Sequence, residues 1–279
     1  MSPHNVRIDN QSAVTDEAFC HLKNLVFLSM RWCNQPKITD EAFRHLANLK
    51  YLDIRRCNQS TITDEAFRPL KNLQYLNMEG CDQRTITDAA FRHLPNVQSL
   101  NMAGCKQSTI TDVAFRYLTN LDCLSMRCCN QSTITDKAFQ HLRKLRSLNM
   151  SECNQNTITN EAFRHLTNLE KLHVRFCTQS TITDGAFRHL TNLKCLNMLG
   201  CNQSMITDEA FSHLTRLQCL NMRFCTQTTI TDKLFRYVTS VQSLDTLGCR
   251  QPMITNDGST TIVCRKSSAN RPSNIEATA

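Results

Sequence analysis

Three residue types recur in this chain with spacings that could carry chemistry. Cysteines stand at Cys33, Cys57, Cys81, Cys105, Cys129, Cys153, Cys177, Cys201, Cys225 and Cys249. Thiols could bind zinc or exchange disulfides, but zinc needs ligands converging on one point, and an evenly spaced column does not converge. The reading favoured is a small buried side chain filling a bend, with a weak S–H donor. Histidines recur at His21, His45, His93, His141, His165, His189 and His213. If each rides a separate helical turn, successive rings stand about 10 Å apart, too far to share an ion. Arginines recur at Arg44, Arg68, Arg92, Arg116, Arg164, Arg188 and Arg236 and could form a phosphate-binding stripe. An aspartate precedes six of them by four positions (Asp40, Asp64, Asp88, Asp112, Asp184 and Asp232), so the expectation is local ion pairing on a helix face. Cys123, Cys128, Cys195 and Cys219 lie off the cysteine column and are expected nearer solvent, where thiols react.

No phosphate-binding loop, dinucleotide fingerprint, zinc-protease helix or nucleophile elbow occurs. The expectation is a protein that is not an enzyme and takes no cofactor.

The elements that position these residues follow from one interval. The Thr-Asp pair at Thr15, Thr39, Thr63, Thr87, Thr111, Thr135, Thr183, Thr207 and Thr231, with Thr159-Asn160 in series, repeats every 24 residues without insertion. Such a period marks a solenoid in which each unit covers the apolar face of the next. In the unit from Ile62 to Thr85, Leu76 and Met78 alternate with Tyr75, Asn77 and Glu79, a strand period. Ten such strands should form a parallel sheet. Ala66, Phe67 and Leu70 fall on one face of a short helical turn, with Thr63 or Asp64 as its cap. Pro69 restricts that turn to one or two windings, partly 3₁₀. Asn72 and its counterparts are placed where a left-handed residue would close the turn. A glutamine occupies one position in every unit from Gln11 to Gln251, and its amide is expected to bond along the solenoid or to turn backbone.

The motif Leu-x-x-Leu-x-(Met/Ile/Val)-x-x-Cys followed by Ile-Thr-Asp resembles the leucine-rich repeats, above all their cysteine-containing subtype. The Ala-Phe pair also resembles the short repeats of large cell-surface leucine-rich arrays. The likeness covers about residues 5–256. The spacer between Cys and Ile is longer here than in the cysteine-containing subtype, and the helical part is shorter. The resemblance implies an α/β leucine-rich repeat solenoid, with a curved parallel sheet on the concave side and helical or 3₁₀ turns on the convex side. It also implies a role for such arrays in substrate recognition within cullin-type ubiquitin ligases. The F-box that docks the ligase adaptor has no counterpart in this sequence, so that partner could be reached only through a missing domain.

On the concave side the repeats differ from one another. Phe27, Arg31, Trp32, Tyr51, Asp53, Arg55, Arg56, Tyr75 and Asn77 crowd one end, and Lys171, His173, Arg175, Phe176, Arg223 and Phe224 gather further along. Trp, Tyr and Arg dominate interface hot spots. The expected function is a scaffold that binds a protein partner on this face, the bland alternative being scattered rim or edge-capping residues. The net charge of +8 also permits an acidic or nucleic-acid partner, with nucleic acid the less favoured. Residues 1–14 read as a partial first repeat, 15–256 as the solenoid and 257–279 as a disordered polar tail. No apolar run suits a membrane span, and MSPHNVRIDNQSAV lacks the apolar stretch of a secretory signal. The location expected is therefore intracellular, cytoplasmic or nuclear.

Overall fold

The computed structural model describes residues 4–8, 10 and 14–249. Eleven short strands follow in chain order: β1 Asn5–Arg7, β2 Phe27–Ser29, β3 Tyr51–Asp53, β4 Tyr75–Asn77, β5 Ser99–Asn101, β6 Cys123–Ser125, β7 Ser147–Asn149, β8 Lys171–His173, β9 Cys195–Asn197, β10 Cys219–Asn221 and β11 Ser243–Asp245. They form a single parallel sheet in sequential order. The register is fixed, each strand residue facing its equivalent one repeat on, as Tyr51 faces Tyr75 and Leu52 faces Leu76. The eleventh strand is β1, supplied by the partial first repeat. The expected tail at 257–279 and the last residues of the expected solenoid lie outside the described residues.

The interior is a set of columns. The middle strand leucines from Leu28 to Leu220, the column cysteines from Cys33 to Cys225 and the Ala-Phe pairs from Ala42-Phe43 to Ala210-Phe211 are buried. Burial of each phenylalanine or leucine is worth roughly 1.5–3 kcal/mol. The column cysteines sit where a small apolar body fits, and each thiol reaches back one repeat to a backbone carbonyl. Cys81 Sγ donates to Ile54 O at 3.0 Å and Cys105 Sγ to Met78 O at 3.0 Å. Burial raises the Cys81 and Cys129 thiols to about 12, so they remain protonated donors.

On the convex side each unit makes one helical turn, 3₁₀ in most repeats and α at Asp88–Phe91 and Asp112–Phe115. The turn Asp64–Phe67 ends before Pro69. Threonine, not aspartate, caps it: Thr63 Oγ1 accepts the Glu65 N–H at 3.2 Å. The aspartate acts on the next repeat instead. Asp40 accepts the Thr63 N–H on one oxygen and the Thr63 hydroxyl on the other, both at 2.7 Å. The same two bonds, at 2.7–2.8 Å, join Asp16 to Thr39, Asp64 to Thr87, Asp88 to Thr111, Asp112 to Thr135, Asp136 to Thr159, Asp184 to Thr207 and Asp208 to Thr231. The expected aspartate–arginine pairing is thereby corrected: both carboxylate oxygens already hold the following threonine. Three of the arginines reach exposed glutamates instead, Arg44 with Glu41 at 3.4 Å and Arg68 with Glu65 and Arg164 with Glu161 at 3.5 Å, contacts worth little at a solvated surface.

Two further expectations are revised. Asn72 does not close the turn in a left-handed conformation. Consecutive turns, Leu70 N–H to Phe67 O and Leu73 N–H to Leu70 O, carry the chain straight into the strand. Asn72 Nδ2 instead donates to Ala47 O of the previous repeat at 3.0 Å. The glutamines from Gln59 to Gln227 are buried, and the bonding expected of them is sparse. Gln59 Nε2 reaches Ile38 O at 3.2 Å. The side-chain amides of Gln83, Gln107, Gln131, Gln155, Gln179, Gln203 and Gln227 make no hydrogen bond to protein atoms. In most of these repeats a threonine hydroxyl takes the nearby carbonyl, as Thr85 takes Ile62 O at 2.7 Å.

Asn160 tests the aspartate ladder from within. Its Nδ2 donates to Thr183 Oγ1 at 2.8 Å, so that hydroxyl no longer gives its proton to a carboxylate. The Thr183 cap bond to Gly185 N–H stretches to 3.4 Å. Asn160→Asp restores the charge-assisted pair and should raise the unfolding free energy by about 0.5–1.5 kcal/mol. Asp88→Ala should lower it by about 1–3 kcal/mol by orphaning the Thr111 donors. Urea denaturation of the two variants checks both signs.

Candidate interaction surface

The chain leaves each strand through a tight turn. Cys57 N–H bonds Ile54 O at 3.0 Å, which puts Arg56 third in a four-residue turn that demands positive φ. The same position is left-handed in each repeat from Trp32 to Gly248. Gly80, Gly104, Gly200 and Gly248 meet this demand at no steric cost. Trp32, Arg56, Cys128, Glu152, Phe176 and Phe224 meet it with a full side chain, at about 1–2 kcal/mol each. The aromatic members stay exposed: Trp32 58%, Phe176 42% and Phe224 52%. Burial therefore does not offset the strain.

Three of these side chains, Arg56, Phe176 and Phe224, lean toward the following repeat, while Glu152 reaches back to Arg127 and Cys128. Arg56 lies over the Trp32 ring at 4.5 Å and in turn covers Gly80, where a Cβ would come within 3.0 Å of its chain. Phe176 rests on Gly200 and Phe224 on Gly248, and a Cβ at either glycine would lie 2.4 Å from the ring. Arg175 and Arg223 stand over their neighbouring phenylalanines at 5.8 and 5.5 Å. In the last four repeats the exit pairs alternate Arg175-Phe176, Leu199-Gly200, Arg223-Phe224 and Leu247-Gly248, and Leu247 is 62% exposed. The result is an edge of aromatic rings, each topped by a guanidinium.

The strand face beside this edge is built in columns. Phe27, Tyr51 and Tyr75 stack with centroids 4.4 and 4.2 Å apart. Their faces cover one another, so the face presents mainly ring edges and two phenol groups, a poor platform for stacking bases. Burial, then Tyr75, holds the Tyr51 phenol above its ordinary pKa, so it stays protonated. Arg55 grips Asp53 through two bonds, Nε–Oδ1 at 3.0 Å and Nη2–Oδ2 at 2.8 Å, and Arg31 approaches the same carboxylate at 3.8 Å.

The sequence-predicted residues thus divide. Phe27, Tyr51, Tyr75, Trp32, Arg31, Arg55 and Arg56 share the first end. Lys171, His173, Arg175, Phe176, Arg223 and Phe224 share the second. Asp53 and Asn77 are buried and engaged within their own repeats. Asp53 Oδ1 accepts the Arg55 N–H and Asn77 Oδ1 the Glu79 N–H, so they support the face from below. Arg223 reaches Asp245 at 3.7 Å, whereas Arg175 and Lys171 meet the carboxylates of Glu152 and Glu170 through longer-range attraction. Leu199 and Leu247 were not picked out from the sequence. The signal was available in the glycines, four of the chain's six falling at this one position.

The pattern of once-per-turn strands and ladders now has a match. Residues 4–122, 36–170 and 108–242 fit the BspA-type leucine-rich repeat region. The chain belongs to that family. This match shows the leucine-rich repeats and does not show the cysteine-containing subtype suggested by the sequence. None of the curated proteins compared matches the chain. Among solved structures, the leucine-rich repeat protein LIC12759 of Leptospira interrogans aligns with a TM-score of 0.74 at 22% identity, over 90% of this chain and 62% of its own. Toll in the Drosophila Toll–Spatzle complex aligns at 0.69 and 17% identity over 86% of this chain and 35% of its own. TLR13 in its complex with ssRNA13 aligns at 0.71 and 24% identity over 88% and 36%. The leucine-rich repeat chain thus spans about a third to three-fifths of these neighbours. The likeness is one of fold.

His173 supplies a test of the second end. In adjoining repeats Asn149 and Asn197 accept the N–H of Ser151 and Leu199 at 3.0 and 3.1 Å. His173 stands between those asparagines in register and makes no such bond. Burial first, then Arg175 and Lys171, lowers its pKa. Its share of stability is therefore complete above about pH 6.5. It declines as pH falls, because the unfolded chain takes the proton first. His173→Asn should remove this acid-side loss and add about 0.5–1.5 kcal/mol at pH 6 through the restored turn bond. Denaturation curves of both chains between pH 5 and 8 check it.

Proposed function

We propose that this leucine-rich repeat chain is a protein-binding scaffold whose partner lies along the concave strands and the arginine–aromatic edge beside them. The observation that carries the reading is the left-handed row. Trp32, Phe176 and Phe224 hold exposed aromatic rings in a strained backbone at a position where four other repeats use glycine. Strain at exposed, well-braced positions supports a contact role. Aromatic and arginine anchors of this kind dominate protein interfaces. The stiff sheet fixes them in advance and lowers the ordering cost of binding. Arg175 and Lys171, held to Glu152 and Glu170 by longer-range attraction and not by a close ion pair, favour a partner with acidic groups.

Neighbouring folds engage a protein in the Toll–Spatzle complex and RNA in the TLR13–ssRNA13 complex. The protein reading is favoured here because the stacked Phe27, Tyr51 and Tyr75 faces are already occupied by one another. A ligase-associated role would need a domain outside this array, and nothing in its geometry favours one.

The triple variant Trp32→Gly, Phe176→Gly, Phe224→Gly separates binding from folding. Glycine relieves the left-handed strain while loosening the unfolded chain, so the melting temperature should stay within a few degrees of wild type. Affinity capture from the native cell should lose the proteins retained by the wild-type chain. An unchanged partner list with intact folding would overturn the proposal.

A further inference from the structure

Strands β9 and β10 pair in register, and their first residues, Cys195 and Cys219, face one another across the sheet. Both are half-buried on the concave side, unlike the fully buried column cysteines from Cys33 to Cys225. In-register neighbours on parallel strands have Cα atoms about 4.8 Å apart, within the ~4.4–6.8 Å that a disulfide bridges. Cys123 occupies the same column but is flanked by Ser99 and Ser147, so it has no thiol to join. The chain thus carries one solvent-reachable dithiol in this column and an unpaired thiol as its internal control.

We propose that Cys195 and Cys219 form a reversible dithiol–disulfide pair on the concave face, oxidised by exchange with a small-molecule disulfide such as oxidised glutathione. One thiol gives its proton to water and attacks a sulfur of the small disulfide. A mixed disulfide forms and one small thiolate leaves, taking up a proton. The second cysteine then attacks the protein-side sulfur of that mixed disulfide and expels the other small thiolate. Two electrons and two protons pass from the protein to the small disulfide, which becomes two thiols.

The surroundings set the rate and the consequence. Burial, then the neighbouring Cys219, raises the Cys195 thiol to about 11, while Lys171 and Lys194 pull it down. Exchange depends on the thiolate, so it should be slow near pH 7 and quicken about tenfold per pH unit up to pH 9. The buried column thiols are tied to carbonyls, as Cys201 Sγ is to Val174 O at 2.8 Å, and are shielded from the oxidant. Closing the bond pins two adjacent repeats together and removes two thiol groups beside Lys171, His173 and Arg175. The pair lies within the second end of the binding face, yet its chemistry does not depend on any partner.

The test uses the full chain in glutathione buffers of graded ratio, quenched by alkylation and read by peptide mass spectrometry. The expected product is a Cys195–Cys219 cross-linked peptide, reversed by dithiothreitol, with Cys123 yielding only a glutathione adduct. Cys195→Ser is tolerated by a column that already holds Ser147 and Ser243, and should convert Cys219 to the glutathione adduct. Stable glutathione adducts on both Cys195 and Cys219 of the wild-type chain, without the cross-link, would overturn the proposal. So would cross-links spread equally along the buried column.

Discussion

The structure depends on a carboxylate that reaches across a repeat boundary. Each aspartate of the Thr-Asp motif from Asp16 to Asp208 accepts both the backbone N–H and the hydroxyl of the next threonine. That threonine then caps its own turn. One side chain therefore fixes the spacing of two repeats, and the next does the same. Hydrogen bonds to an ionised acceptor are worth about 1.5–3 kcal/mol each. Insertion of a single residue would break the hydroxyl, amide and strand registers together. This accounts for a period that holds at 24 without exception.

Other ladders follow from that register. Threonine hydroxyls reach isoleucine carbonyls, asparagine amides reach loop carbonyls and cysteine thiols reach strand-end carbonyls, each one repeat back. Together they satisfy polar groups that a thin two-sided solenoid cannot pair within one repeat. Stability is then close to a sum over neighbours. Substitutions on the concave face are free to vary because they take no part in these ladders. The exit position is the exception. There the turn imposes a left-handed backbone, and most repeats answer with glycine, an aromatic residue or an arginine.

The architecture was legible in the sequence because each repeat restates it. Leu76 and Met78 marked the strand, Ala66 and Phe67 the convex turn, and Pro69 the limit of that turn. Side-chain partners were less legible. Asp64 sits four residues before Arg68 and also 23 before Thr87, and only the solenoid rise shows that the second distance is the short one. Asn72 looked like a left-handed cap because helices commonly end so, but here the chain turns again toward the strand instead of reversing. Of the surface, the aromatic and arginine residues were visible by type. Their shared strain at Trp32, Phe176 and Phe224 was not, since φ is set by a turn whose only trace is the glycine at Gly80, Gly104, Gly200 and Gly248.

The central claim is that the motif carboxylate couples to the next repeat and not to the arginine one turn away. A double-mutant cycle on Asp88 with Thr111, set beside one on Asp88 with Arg92, measures this directly by denaturant unfolding. The account requires a coupling of about 1–2 kcal/mol for Asp88 with Thr111 and about zero for Asp88 with Arg92. The opposite ranking would contradict it.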